Sequence, residues 1–247
     1  MERGARAPVA TFYAPELPGD PGELALGQAA AHHAGVRRLS EGAAVRVTNG
    51  RGIIGTASIR KLTKHDFIVD LEGMETLPAP PAIELLVPVA DRDRMLWLAE
   101  KTAELAVSVW QPVLFARSRS VSPRGEGDTF AAKVRARMIA ALEQSAGAWL
   151  PEIRHELPLE DATARVSAGT RYMLDRGGRR LCPTAAAEGA AIVLGPEGGI
   201  APDEMEHLEA TGWTPVTLGP TTLRFETAGI AAVAILRAAA IRTNGEE

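Results

Sequence analysis

Residues 194–200 read LGPEGGI and follow the apolar run GAAIV at 189–193. A strand ending at Leu194 delivers Gly195 to the C-terminal edge of a parallel sheet, where open α/β folds bind ligands. Gly195, Gly198 and Gly199 permit a tight turn and a close backbone approach. Pro202 suits the first position of a following helix. Asp203 and Glu204 in its first turn favour the helix dipole. Ala201 is a poor cap, worse than serine by roughly 1 kcal/mol. The acidic first turn argues against a phosphate seat, and neither GxxxxGK[ST] nor GxGxxG occurs in the chain. On spacing alone, LGPEGGI is either a plain strand-to-helix turn or a ligand-binding one. A second run, LGPTTLRFETA at 218–228, also leaves a strand and precedes a helix. Two Leu-Gly-Pro exits from adjacent strands are expected to wall one pocket. Their backbone N–H and C=O groups suit an adenine edge without phosphate charge. Arg224 and Glu226 lie just past the second turn.

Around these loops the chain alternates helix and strand patterns. RDRMLWLAEKTAELAV at 92–107 predicts a helix with Met95, Leu98, Thr102 and Leu105 on one face. VWQPVLF, ARVSAG, GAAIVLG and TPVTLG predict strands, and FAAKVRARMIAALEQSA, PDEMEHLEATG and TAGIAAVAILRAAAIR predict helices. The alternation implies an α/β domain with a mainly parallel sheet. The first third differs. AAVRVTN, IIGTASIRKL and HDFIVDLE read as strands, with GRG at 50–52 as a tight turn and QAAAHHAGVRRL as a short helix. Pro78, Pro80 and Pro81 mark a linker, which places a small β-rich domain at 1–77 and an α/β domain at 82–247.

Composition removes several classes. At 247 residues the chain is long enough to bury a core without staples. A single cysteine, Cys182, excludes a disulfide framework and a cysteine-rich zinc site, and is expected as a small buried hydrophobe. Of five histidines only His32 and His33 are close in sequence, so no metal site is expected. MERGARAPVATFYAPEL lacks an apolar stretch, so neither a signal peptide nor an anchor is expected and a cytoplasmic protein is implied. The net charge is −4, with basic and acidic residues balanced at nine each in 1–80. That argues against a strong nonspecific nucleic-acid binder while leaving room for a local basic face.

Four further runs join the two loops: EKTAELAV at 100–107, PVLFARS at 112–118, EQSAGAWLPEI at 143–153, and, in the small domain, HHAGVRRLSEGAAVRVTNGRG at 32–52. Together with LGPEGGI and LGPTTLRFETA, and in this order, they resemble the bacterial 16S ribosomal RNA (uracil-N3) methyltransferase family of the SPOUT superfamily. The resemblance implies an α/β C-terminal domain with a deep trefoil knot and a PUA-like β-barrel domain that binds RNA. It implies S-adenosylmethionine bound against Leu194, Gly195, Pro196, Glu197, Gly198, Gly199 and Ile200, and against Leu218, Gly219, Thr222 and Leu223. It implies a homodimer through the C-terminal domain, and as substrate one uridine of 16S rRNA in the assembled small ribosomal subunit. The chain departs from the pattern at Ala146, Gly147 and Trp149, where Gly, Arg and a further Arg are usual, and at Thr221 and Thr222, where the family writes Arg and Ile. A diverged RNA-binding protein with weak or no methyl transfer is the alternative.

Under the resemblance, Arg224 is the candidate to hold the base or its developing oxyanion, and Glu226 is the second catalytic candidate, able also to cap or brace the loop. Glu197 faces a ribose or bonds nearby amides. Lys101 and Glu104 form a surface pair or serve the site. For RNA the candidates are Arg37, Arg38 and Arg51 in the small domain and Arg117, Arg119 and Arg124 in the polar loop. Trp149 either stacks on a base or packs at an interface.

Overall fold

The computed structural model describes residues 7–118, 125–182 and 189–243, with side chains through residue 240. Its contacts divide it into two units. One runs through Ala79 and takes in Ile139–Leu150; the other comprises Pro80–Met138 and the chain from Pro151 onward. The two-segment expectation has no counterpart for the return of 139–150.

In the first unit, β1 (Thr11–Tyr13), β2 (Gly22–Ala25), β3 (Ala44–Thr48), β4 (Ile53–Leu62) and β5 (Phe67–Thr76) form a sheet in the order β1-β3-β4-β5-β2, with α1 (Gly27–Val36) between β2 and β3 in sequence. Only β1–β3 is parallel. Period-two alternation turns Val45, Val47, Ala57, Ile59, Phe67, Val69 and Leu71 inward against Phe12 and the alanines Ala31 and Ala34 of α1. Phe12 meets Phe67 edge to face at 4.8 Å. The β3–β4 turn is tied by Asn49, whose Oδ1 accepts from the Arg51 and Ile53 amides at 2.7 and 3.1 Å. Gly52 sits at φ 91°, and a Cβ there would run into the indole of Trp149. Trp149 therefore packs on this turn and donates to the Pro78 carbonyl at 3.2 Å. Packing within the first unit thus occupies the ring that the sequence reading offered to a base.

The second unit contains β6 (Ile83–Pro88), α2 (Arg92–Glu104), β7 (Val109–Leu114), the start of α3 (Asp128–Gln144), β8 (Glu152–Ile153), β9 (Leu157–Pro158), α4 (Leu159–Ala164), β10 (Thr170–Arg180), β11 (Ala190–Val193), α5 (Pro202–Ala210), β12 (Thr214–Thr217) and α6 (Phe225–Thr243). Its sheet runs β12-β10-β11-β6-β7-β8, with β9 also on β7, and every ladder is parallel. All six residues of β6 are buried, as expected of a central strand covered on both faces. One face packs Leu86, Val113, Met173 and Val193 against Leu208 and Trp213. On α6, the spacing of Ala232, Val233, Leu236 and Ala240 makes one buried stripe. Gly229 lets that helix close in: a Cβ there would lie 2.8 Å from Leu194 Cδ1 and 2.9 Å from Leu98 Cδ1. Further along, Arg237 donates to the carbonyls of Leu105 (3.1 Å) and Ala106 (2.6 Å), satisfying acceptors at the end of α2, and to that of Pro81 (2.8 Å) ahead of β6. Burial lowers its pKa from the ordinary arginine value.

Three expectations are corrected here. ARVSAG at 164–169 is not a strand. The amides of Ser167 and Ala168 and the Ser167 hydroxyl all donate to Glu84 Oε1, at 2.8, 2.9 and 2.7 Å. A buried carboxylate thus takes the donors a ladder would have used, and the strand begins only at Thr170. That strand, β10, lies between β11 and β12, so the two Leu-Gly-Pro exits do not leave adjacent strands. Cys182 is exposed, not buried, because it sits beyond the last ladder residue of β10. Among the described residues no helix is long and apolar enough to cross a membrane, and no metal-ligand cluster occurs.

Candidate active site

The C-terminal ends of β10, β11 and β12 and the first turn of α6 enclose a cavity of about 250 Å³. Its walls are largely apolar: Leu174, Leu194, Leu218, Leu223, Phe225 and Ala228. The polar lining is sparse. Asp175 and Glu197 bring carboxylates, Arg176 and Arg224 guanidiniums, and Thr217, Thr221 and Thr222 hydroxyls. This is the form of a small-molecule site, apolar with a few placed polar groups.

The first loop is held from several sides. Leu194 is anchored by its amide on the Leu86 carbonyl at 3.0 Å, and the Gly199 amide closes a turn on the Pro196 carbonyl at 2.8 Å. Gly199 sits at φ 76° with open space around it, a conformation that glycine adopts without strain. Gly198 is needed for a different reason: a Cβ there would lie 2.7 Å from the Arg117 carbonyl oxygen. The loop packs edge-on against the backbone that follows β7. Glu204 locks the same junction, accepting from the Ala116 amide at 2.7 Å and from the Ala201 amide at 2.9 Å. Ala201 has no acceptor of its own, so the helix start relies on this reciprocal bond from its third residue.

Arg94 joins the loop to α6. Its helix, α2, is capped by Asp91, which accepts from the Arg94 amide at 3.0 Å. The guanidinium lies 3.5 Å from Glu197 Oε1 and 3.8 Å from Glu226 Oε1. Glu226 is 6% exposed, and its Oε2 has no hydrogen-bond partner among the described residues. One cation therefore spans two carboxylates, one from each Leu-Gly-Pro segment. The second loop is bonded less. The Thr217 hydroxyl donates to the Gly219 carbonyl at 3.1 Å, and residues 220–224 are exposed.

Of the residues singled out in the sequence, Leu194, Gly195, Pro196, Glu197, Gly199, Ile200, Leu218, Thr222, Leu223 and Arg224 line the cavity. Gly198 and Gly219 do not, and neither does Glu226, which faces Arg94. Arg117 leans on the first loop, 3.5 Å from the Ile200 carbonyl, and its own backbone receives Gly198. In the first unit Arg37 and Arg38 are exposed, while Arg51 donates to the Pro15 carbonyl at 2.8 Å. Arg119 and Arg124 lie outside the described residues. Lys101 bonds Glu100 and Glu104, each at 2.8 Å, on a surface away from the cavity lining. Sequence reasoning missed Leu174, Asp175 and Arg176, because the strand carrying them went unrecognised. It missed Arg94 because nothing in RDRMLW marks a residue whose partners lie more than a hundred positions on.

A family model described as an RNA methyltransferase domain matches residues 77–237, and one described as an RNA methyltransferase PUA domain matches residues 26–72. The chain is 29% identical over 238 residues to the ribosomal RNA small subunit methyltransferase E of Mycobacterium bovis, covering 91% of this chain and 88% of that protein. It is 27% identical over 234 residues to the Aquifex aeolicus protein of the same name, covering 91% and 97%. Among solved structures, ribosomal RNA small subunit methyltransferase E from Neisseria gonorrhoeae, bound to S-adenosyl methionine, matches with a TM-score of 0.84 at 25% identity, covering 93% of this chain and 97% of that one.

Proposed function

Because the chain belongs to the RNA methyltransferase family, we propose that it transfers a methyl group from S-adenosylmethionine to N3 of one uridine in 16S ribosomal RNA. The observation that carries this reading is the cavity between the two Leu-Gly-Pro segments. Its leucines and Phe225 suit an adenine ring, and the carboxylates of Asp175 and Glu197 suit ribose hydroxyls and a nearby positive charge. Among the described residues the lining has no glycine-rich phosphate cradle, and Asp175 and Glu197 offset the charge of Arg176 and Arg224, so a polyphosphate is poorly served. The bound cofactor supplies an electrophilic methyl group on a sulfonium. With it bound, the N3–methyl bond would form as the sulfur–methyl bond breaks, the N3 proton passing to solvent water. Arg224, exposed at the mouth, is placed to donate to the uracil oxygens. There it orients the base and stabilises the charge that builds as the proton leaves. Glu226 acts as a positioning residue through Arg94. The uridine must be unpaired or extruded to reach the cavity.

The same reading takes the substrate to be the assembled small subunit in the cytoplasm, the C-terminal chain to be threaded as a trefoil knot, and the working form to be a dimer through the C-terminal unit. Trp97, Leu223 and Ile235 support the dimer: all three are exposed large apolar side chains, and they belong to α2, the second loop and α6. Light scattering should report twice the monomer mass, and a monomer at micromolar concentration would refute the dimer. Arg37 and Arg38 remain the RNA contacts proposed for the first unit.

The deciding test is mass spectrometry of 16S rRNA from a host lacking the protein. Loss of 3-methyluridine, restored when purified protein and S-adenosylmethionine act on the mutant's small subunits, is the expected result. Unchanged 3-methyluridine, or binding of RNA without transfer, would instead favour a diverged RNA-binding protein.

A further inference from the structure

The segment DRGGRR at 175–180 closes β10 and contains an irregularity. Leu174 and Arg179 both pair with Val216 of β12, so Asp175–Gly178 bulge out of the ladder between them. The bulge is built for this sequence. Gly178 lies so near β12 that a Cβ would be 2.5 Å from the Pro215 carbonyl carbon and the Val216 amide nitrogen. The Gly177 amide donates to Asp175 Oδ1 at 2.7 Å, engaging one oxygen of that carboxylate. Past the bulge, Arg179 and Arg180 lie in register with Val216 and Thr217, two residues of the cavity wall.

Three arginines thus fall within five positions at the rim. Arg176, Arg179 and Arg180 are all exposed, and none has an ion pair or side-chain hydrogen bond among the described residues. Several other arginines of this unit are engaged, although Arg92, Arg165 and Arg224 also have no side-chain partner among the described residues. Arg137 and Arg154 meet carboxylates, and Arg171 and Arg237 bond backbone carbonyls. Strand alternation sends Arg179 and Arg180 to opposite faces, so the charge straddles the sheet edge. In a chain of net charge −4 this is a local excess. It lies beside the loop where Thr221 and Thr222 leave Arg224 as the cation of that loop.

We propose that Arg176, Arg179 and Arg180 form a phosphate-docking strip that holds the RNA backbone flanking the target base. The proposal rests on the function given above, since a base entering the cavity must bring its backbone past this rim. Guanidinium groups with free forks suit phosphate oxygens, and such contacts fix register without reading sequence. The strip supplies from β10 the positive charge that the second loop lacks.

The test uses the full-length double variant R179Q/R180Q, with R179K/R180K as its conservative partner. Arg176 is left intact because it lines the cavity. Binding of a short single-stranded RNA is followed by anisotropy between about 50 and 200 mM salt. Loss of two phosphate contacts should reduce the log–log salt slope by about 1.4, at about 0.7 for each contact on a single strand. The lysine variant should retain the slope. S-adenosylmethionine affinity by calorimetry should stay within about twofold, and KM for small subunits should rise while the saturating single-turnover rate holds. An unchanged slope in R179Q/R180Q overturns the strip. So does displacement of RNA by polyglutamate as readily as by polyphosphate, which would mark a generic anion surface. If the wild-type protein binds no S-adenosylmethionine, the proposed reaction fails, whereas the salt slope still reports on the strip.

Discussion

The two Leu-Gly-Pro segments begin with the same three residues and end in opposite physical states. The first, 194–200, is cross-braced: an internal turn, a glycine pressed on the Arg117 carbonyl, Glu204 bonded to two amides, and Arg94 on Glu197. The second, 218–224, carries the Thr217–Gly219 bond and then five exposed residues before α6 starts at Phe225. A site that must recognise one invariant cofactor gains from a wall fixed in advance. A site that must admit a nucleotide from a large RNA gains from a wall that yields. The pairing teaches that sequence likeness between loops says little about stiffness, which is set by what each loop packs on.

The comparison breaks most visibly at Arg224. Arg224→Ala should lower the single-turnover rate on small subunits by roughly 10²-fold, the scale of one lost transition-state donor. S-adenosylmethionine affinity should remain within a few-fold, because the braced wall is untouched. Combined loss of affinity and dimer stability would assign the residue to the scaffold instead. Gly198→Val attacks the other wall. Overpacking against backbone costs about 1–3 kcal/mol, so calorimetry should show cofactor affinity weakened by roughly 5- to 150-fold with circular dichroism unchanged. Normal affinity would show that the Arg117 contact is irrelevant to the wall.

A smaller effect is expected at the link between the segments. Arg94→Gln leaves the Glu226 carboxylate buried without its cation, at a cost of about 1–3 kcal/mol, reduced because Arg94 is 36% exposed. Thermal melting should shift down by several degrees and cofactor affinity should fall a few-fold. The double variant Arg94→Gln with Glu226→Gln should recover part of the melting temperature. No recovery would mean the pair is not coupled. The smallest effect belongs to Thr221→Arg, which adds a cation to the yielding wall. A rate gain of a few-fold would mean that the wall lacks charge, whereas an unchanged rate would mean that other arginines already supply it.

The residues that announced themselves in the sequence are those whose partners are near in the chain. LGPEGGI, Pro202 and the acidic turn of α5 mark a strand, a turn and a helix within twenty positions, and the cavity lines up behind them. β10 escaped notice because its second half, DRGGRR, has neither apolar alternation nor β-branched residues. It is held as a strand by flanking ladders and a glycine bulge. The neighbouring ARVSAG looked more like a strand, yet Glu84, more than eighty positions earlier, claims its amides. This single exchange also produced the error about adjacent strands. Arg94 and Trp149 were opaque for the same reason: a guanidinium or an indole takes its task from groups that only the folded chain brings near.

Arg237 has a consequence in time as well as in space. Its guanidinium satisfies carbonyls at Pro81, Leu105 and Ala106, up to 156 positions earlier in the chain. During synthesis these oxygens emerge long before their donor does. Until Arg237 has been added to the chain, these three carbonyls have only solvent in place of that donor. A fragment lacking α6 should therefore be quickly cleaved by protease in a pulse experiment, while the chain that carries α6 resists.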